Sequence, residues 1–200
     1  MLVFFREKLV FFATPKTAST SIEMALGPAA DMRISRAPNA KHTPYRKYKR
    51  LLEPFVLTLT DGELDCMCLL REPVDWLGSW WRYRSRDALA GTANSTAAIS
   101  FDAFVEAYLS DDPPAYARVG SQGRFMTDKD GAVGMTHIFR FEDIDKAVGF
   151  LQGRLGKQFA LGTHNPSPPG AVSLSPALRQ ELVAAHPIDF DLYERLTPPA

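Results

Sequence analysis

The sequence predicts a single α/β domain over residues 1–200, three layers deep, with a mainly parallel central sheet flanked by helices. Three observations lead there. Three short segments that read as strands, 9–14, 65–71 and 137–141, are each followed by a segment of helical periodicity, the pattern of successive β-α-β units. The run 9–14 lacks polar alternation, so both faces of its strand are expected to be covered. A chain of 200 residues, 46% hydrophobic and 23% charged, has an ordinary globular composition and is long enough to bury a proper core.

Leu9–Thr14 reads as a buried parallel strand between a charged segment and Pro15. The helix after it carries Ile22, Ala25 and Leu26 on one face and stops at Gly27-Pro28. Residues 28–41 read as irregular. Thr43–Leu52 reads as a helix with Tyr45, Tyr48 and Leu52 on one stripe and Arg46, Lys49 and Arg50 on other faces. Asp65–Arg71 is the second strand, and Pro73 suits the first position of a helix through about Arg86, with Trp76, Trp80 and Tyr83 at helical spacing. Residues 87–100 are small and polar and read as a mobile loop. Phe101–Leu109 is a short helix broken by Asp111-Asp112-Pro113-Pro114. His137–Phe141 is the third strand, Asp143–Leu155 the helix after it, 162–173 a long loop and Ser175–His186 a final helix opened by Ser175-Pro176. No internal repeat or domain linker stands out.

Lys+Arg and Asp+Glu both total 23, so no global field recruits nucleic acid or an anionic membrane, and an anion site has to be local. Cys66 and Cys68 alternate within an apolar run. Their Cα atoms are expected ~6.5–7 Å apart with parallel side chains, which suits reduced core thiols better than a disulfide. The amino terminus places Arg-Glu-Lys between two short apolar runs, without a signal-peptide core or a membrane span. This predicts a cytoplasmic protein, in which Asn94-Ser95-Thr96 is a chance sequon.

The informative stretch is residues 9–26, "LVFFATPKTASTSIEMAL". A buried strand turns into a helix where one lysine is followed by Thr17, Ala18, Ser19, Thr20 and Ser21. A helix start offers free amides and a partial positive charge to an anion, Lys16 adds a full charge, and the hydroxyls can donate. A nucleotide kinase or NTPase would show a glycine-rich loop with lysine directly before a magnesium-binding Ser/Thr. No glycine lies between Leu9 and Leu26. Read as structure alone, Thr20 and Glu23 make a capping box, which leaves Lys16 and the hydroxyl run without a purpose.

"TPKTASTS" resembles the 5′-phosphosulfate loop of sulfotransferases that use 3′-phosphoadenosine-5′-phosphosulfate (PAPS). It is most similar to the Golgi glycan type, such as the heparan sulfate and dermatan/chondroitin uronyl 2-O-sulfotransferases. "CLLREPVDWLGSWWRYRSR" at 68–86 resembles that family's 3′-phosphate motif, a strand ending in Arg71 with Ser79 on the next helix. Arg71 and Ser79 would then fork around one phosphate. Where the family often has a further arginine this chain has Trp76. "HIFRFEDI" (137–144), "THNPSPPG" (163–170) and "DFDLYERL" (189–196) resemble later elements of bacterial members, so the likeness spans about 9–196.

The resemblance implies a P-loop-like fold and transfer of a sulfuryl group from PAPS to a hydroxyl, less often an amine, on an unidentified acceptor such as a glycan or small metabolite. It implies no metal. Lys16 is expected beside the bridging oxygen where charge develops, with Thr17, Ala18, Ser19, Thr20 and Ser21 around the 5′-phosphate. Of the four histidines, His42 in "NAKHTPY" is the first choice for the base and His164 the second. A surface histidine that caps the next helix remains an alternative for His42, and Asp61 and Glu63 stay open as carboxylate bases. Lys41, Arg46, Lys47, Lys49 and Arg50 are either an acidic-acceptor patch or a solvated helix face. Trp76 and Trp80 are expected in the core. The competing classes are a kinase or NTPase with a degenerate loop, and a non-catalytic PAPS-fold binder.

Overall fold

The computed structural model describes residues 1–162 and 172–197. They group into two compact units, residues 1–71 with 122–162, and residues 72–121 with 172–195.

The first unit holds a five-stranded mixed sheet in the order β3-β1-β2-β4-β5. Its strands are β1 (Leu2–Phe4), β2 (Leu9–Phe11), β3 (Met32–Arg33), β4 (Asp65–Leu70) and β5 (His137–Arg140). β2, β4 and β5 are the three strands expected from sequence, and they pair in parallel. The expectation of a mainly parallel sheet is corrected by the other half. β1 pairs antiparallel with both β2 and β3, Val3 lying opposite Val10 and Met32. The charged Arg-Glu-Lys segment is the tip of a β1–β2 hairpin whose turn closes from Lys8 N to Phe5 O at 3.2 Å. β1 and β3 escape a reading from sequence, because neither lies in an apolar run as long as 9–14.

Leu9, Phe11 and Ala13 alternate onto one face of the sheet with Leu2, Phe4, Met67 and Leu69. They pack there against Ile22 and Leu26 of α1 (Ser19–Leu26). Val10 and Phe12, on the opposite parity, are also fully buried, and Phe12 meets the Tyr48 ring edge-on at 5.2 Å. Covered on both faces, β2 has to be apolar throughout, and full burial of each such side chain is worth about 1.5–3 kcal/mol. Further helices of this unit are α2 (Pro38–Lys41), α3 (Tyr45–Leu51) and α4 (Glu53–Leu57). Residues 28–41, expected to be irregular, therefore contain β3 and α2.

In the second unit α5 (Pro73–Arg84) and α6 (Phe101–Leu109) bury Trp76, Leu77, Phe101, Phe104 and Val105. α7 (Gln122–Met126) and α8 (Ile144–Leu155) return the chain to the first unit. α9 (Pro176–Ala185) and α10 (Pro187–Leu196) complete the helices, and Leu178, Leu182 and Phe190 join the second core. The Trp76 ring packs edge-on to Trp80 at 6.2 Å. Gly78 is required by contact here, since a Cβ would stand 2.6 Å from a methyl of Val172. The segment 87–100 is more anchored than a polar loop suggests. Thr96 is buried and donates to Trp81 O at 2.7 Å, and Trp81 Nε1 donates to Ile99 O at 2.8 Å.

Cys66 and Cys68 are buried free thiols on β4. Burial pushes the Cys66 thiol up to about 12, and that of Cys68 upward as well, so neither forms a reactive thiolate near neutrality. No helix among the described residues is long and apolar enough to cross a membrane.

Candidate active site

The turn from β2 into α1 is built without glycine by forcing two ordinary residues into the left-handed region. Lys16 has φ 63° and Ala18 φ 54°, at a cost on the order of 1–2 kcal/mol each. Thr17, fully buried between them, donates its hydroxyl to Thr14 O at 2.9 Å and so fixes the reversal. Alternation of left- and right-handed residues turns successive amides into a concave, anion-attracting surface.

The capping box does not form. α1 begins at Ser19 with Ala18 as its N-cap, and no side chain caps it. Its first intrahelical bond runs from Ile22 N to Ala18 O. Among the described residues no group accepts from the amides of Ser19, Thr20 or Ser21, the orphan donors of a helix start. Glu23 is engaged elsewhere. Buried to 2% exposure, its carboxylate accepts from the Met1 ammonium at 2.9 Å and from Lys41 Nζ at 2.8 Å. Lys41 also donates to Thr20 Oγ1 at 2.8 Å. It is therefore held over the first turn of α1 and is no member of a solvated face.

His42 follows α2, and its Nδ1 lies 2.5 Å from Ala13 O, the carbonyl just before the turn. A carbonyl can only accept, so Nδ1 carries the hydrogen and the neutral ring keeps its lone pair on Nε2. Burial holds the His42 pKa below its ordinary 6.5. The Ala13 hydrogen bond opposes that shift and the Lys41 charge adds to it. At neutral pH the ring is therefore uncharged.

Arg71, half-buried just past the end of β4, donates from a guanidinium nitrogen to Lys16 O at 3.2 Å and lies 4.5 Å over the Phe141 ring. Its backbone is held by a side chain. Gln122, fully buried, accepts from Arg71 N at 3.0 Å and donates to Arg71 O at 2.8 Å, standing in for a neighbouring strand. The structure thus brings together Lys16, Thr17, Ala18, Ser19, Thr20, Ser21, His42 and Arg71, with Lys41, which the sequence offered only as part of an acceptor patch or a solvated face. It adds Glu23, Gln122 and Phe141, which sequence reasoning did not assign to the site. The adjacency of Lys41 to His42 was a usable signal. Gln122 offered none, because its work is to imitate a main chain.

Ser79 is buried on α5 and belongs to the second unit. His164 lies outside the described residues. Asp61 and Glu63 are exposed and make no hydrogen bond or ion pair to the turn. His137 Nε2 stands 3.5 Å from Asp65 Oδ2, and His186 stacks on Tyr108 at 4.8 Å between ring centres. Among the described residues no group of three or more His, Cys, Asp or Glu could hold a metal ion.

The chain matches no family model, no curated protein and no solved structure.

Proposed function

We propose that this protein is a PAPS-dependent sulfotransferase whose nucleotide site lies at the β2–α1 turn of a P-loop-like unit. One observation carries the reading. A helix start without a side-chain cap is joined by a lysine inside the turn, an arginine bound to that lysine's carbonyl and a histidine held in a basic neutral form.

These residues fit a phosphosulfate: orphan amides, hydroxyls and fixed cations are what an oxyanion requires. When bound, PAPS supplies the sulfuryl group and the adenosine 3′,5′-bisphosphate leaving group. The amides of Ser19, Thr20 and Ser21 and their hydroxyls hold the 5′-phosphate. Lys16 balances the charge that grows on the bridging oxygen, the moment at which electrostatic help is worth most. Arg71 supplies a bidentate cation for the second phosphate, its side chain kept in place by Phe141 and its backbone by Gln122. His42 Nε2 takes the proton of the acceptor hydroxyl, and its Nδ1–H stays shared with Ala13.

Thermal unfolding with ligands tests this reading. Adenosine 3′,5′-bisphosphate without magnesium is expected to stabilise the protein, by about 2.7 kcal/mol at a hundred times its Kd. Arg71→Ala should weaken that binding by about 1.5–3 kcal/mol. Stabilisation by ATP–magnesium alone would point to a kinase or NTPase. Bisphosphate binding without transfer of labelled sulfate to any hydroxyl or amine in a broad acceptor screen would leave a binding protein.

A further inference from the structure

The α3–α4 segment carries two apolar rows, and the fold uses only one. The two helices are nearly continuous, with Leu52 N bonded to Tyr48 O and Val56 N to Leu52 O, each at 2.9 Å. Tyr48, Leu52 and Val56 form the inner row at four-residue spacing, with Tyr48 1% and Val56 0% exposed. The next row along the surface is Lys47, Leu51, Phe55 and Leu59, the last just past the end of α4. Leu51 is 52% exposed, Phe55 55% and Leu59 49%, with Leu57 beside them at 37%. Packing explains the inner row and gives no reason for the outer one.

Charge says what would cover it. Arg46, Lys47 and Arg50 are exposed at the head of this outer row, while Lys49 is neutralised by Glu53. Asp61 and Glu63 are exposed only beyond Leu59, at the far end. A second copy laid parallel on the same ridge would bring three more cations against the first three, and one laid antiparallel would set the basic head of each ridge against the apolar end of the other. A surface with basic residues at one end and Leu/Phe at the other has the composition of a segment that lies in a bilayer interface.

We propose that the outer ridge of α3–α4 is a peripheral docking face for an anionic lipid bilayer. Arg46, Lys47 and Arg50 meet the head groups, and Leu51, Phe55 and Leu59 enter the boundary below them. This is independent of the proposed enzymatic activity, and its test involves no turnover.

Sedimentation with vesicles decides it. Vesicles of phosphatidylcholine with about 30 mol% phosphatidylserine should bind the protein at least tenfold better than pure phosphatidylcholine, and the difference should shrink in high salt. Lys47→Glu/Arg50→Glu should lower partitioning by roughly fivefold or more per charge. Phe55→Asp should lower it without a change in the unfolding temperature, since all three positions are exposed. The proposal is overturned by equal affinity for both vesicles, by no binding to either, or by folded variants that partition like the wild type. It is equally overturned if the ridge instead drives a concentration-dependent dimer that Phe55→Asp abolishes.

Discussion

Two helices in this protein start in opposite ways. α5 is closed as a structural helix should be: Pro73 occupies its first position, and the Glu72 carboxylate accepts from Asp75 N at 2.7 Å. α1 has neither device, and its N-cap is an alanine in the left-handed region. One start has a side chain that accepts from its first turn, and in the other no described residue accepts from the amides of Ser19, Thr20 or Ser21, while Lys41 is fixed at the first turn. A helix start without a side-chain cap that has also accepted backbone strain is poor design for stability and good design for an anion, which is why the proposed chemistry is placed at α1.

That contrast can be broken most severely at Lys16. Lys16→Ala is expected to fold normally and to lose about 10²-fold or more in turnover under saturating PAPS, and turnover near the wild-type value would remove its role. His42 comes next. Its pKa lies below 6.5, so the ring is neutral and able to accept a proton at all higher pH, and the acid limb of the rate profile should fall below pH 6.5. Stability should follow the same sign. The unfolded chain binds a proton in that window and the folded ring does not, so stability declines as pH drops below about 6.5. A flat profile between pH 5 and about 7, or no change in either quantity on His42→Ala, would move the base elsewhere.

Smaller effects sharpen the comparison itself. Glu72→Ala should destabilise by about 1 kcal/mol, the usual worth of a lost cap, read as a lower denaturant midpoint at unchanged slope. Ala18→Gly should do the reverse. A glycine removes the left-handed strain at φ 54° and should raise stability by about 0.5–1 kcal/mol. If Ala18→Gly destabilises, the turn is not strained and the two starts differ less than their geometry suggests.

Much of this was legible in the sequence, for reasons visible in particular residues. β2 and β4 are buried along nearly their whole length, so their apolar runs are easy to read, whereas β5 is half-buried throughout and was legible only as a short segment before a helix. α6 was marked at its end by the Asp-Asp-Pro-Pro break, and the structure adds the Ser100 cap at its start, whose hydroxyl accepts from Ala103 N. The β2–α1 turn stood out as a candidate because a lysine and a hydroxyl run follow an apolar strand there, although buried Thr17 also serves the turn itself. What escaped depends on contacts distant in sequence. Glu23 has the right spacing for a capping box with Thr20, but a buried carboxylate is better satisfied by two ammonium groups than by one amide. Gln122 meets Arg71 across 51 positions, and no local pattern encodes an amide that pairs with a main chain.

That last pairing has a consequence for how the chain is threaded. The first unit ends at Arg71 and resumes at Gln122, and those two residues are the ones clamped by a pair of hydrogen bonds. The whole excursion between them therefore departs from and rejoins the first unit at one point, as an inserted module does. The ordering cost of bringing together the ends of so long a loop grows only slowly with its length. The Arg71 amide is held by the buried side chain of Gln122, and its exchange with deuterium reports directly on how often that pairing opens.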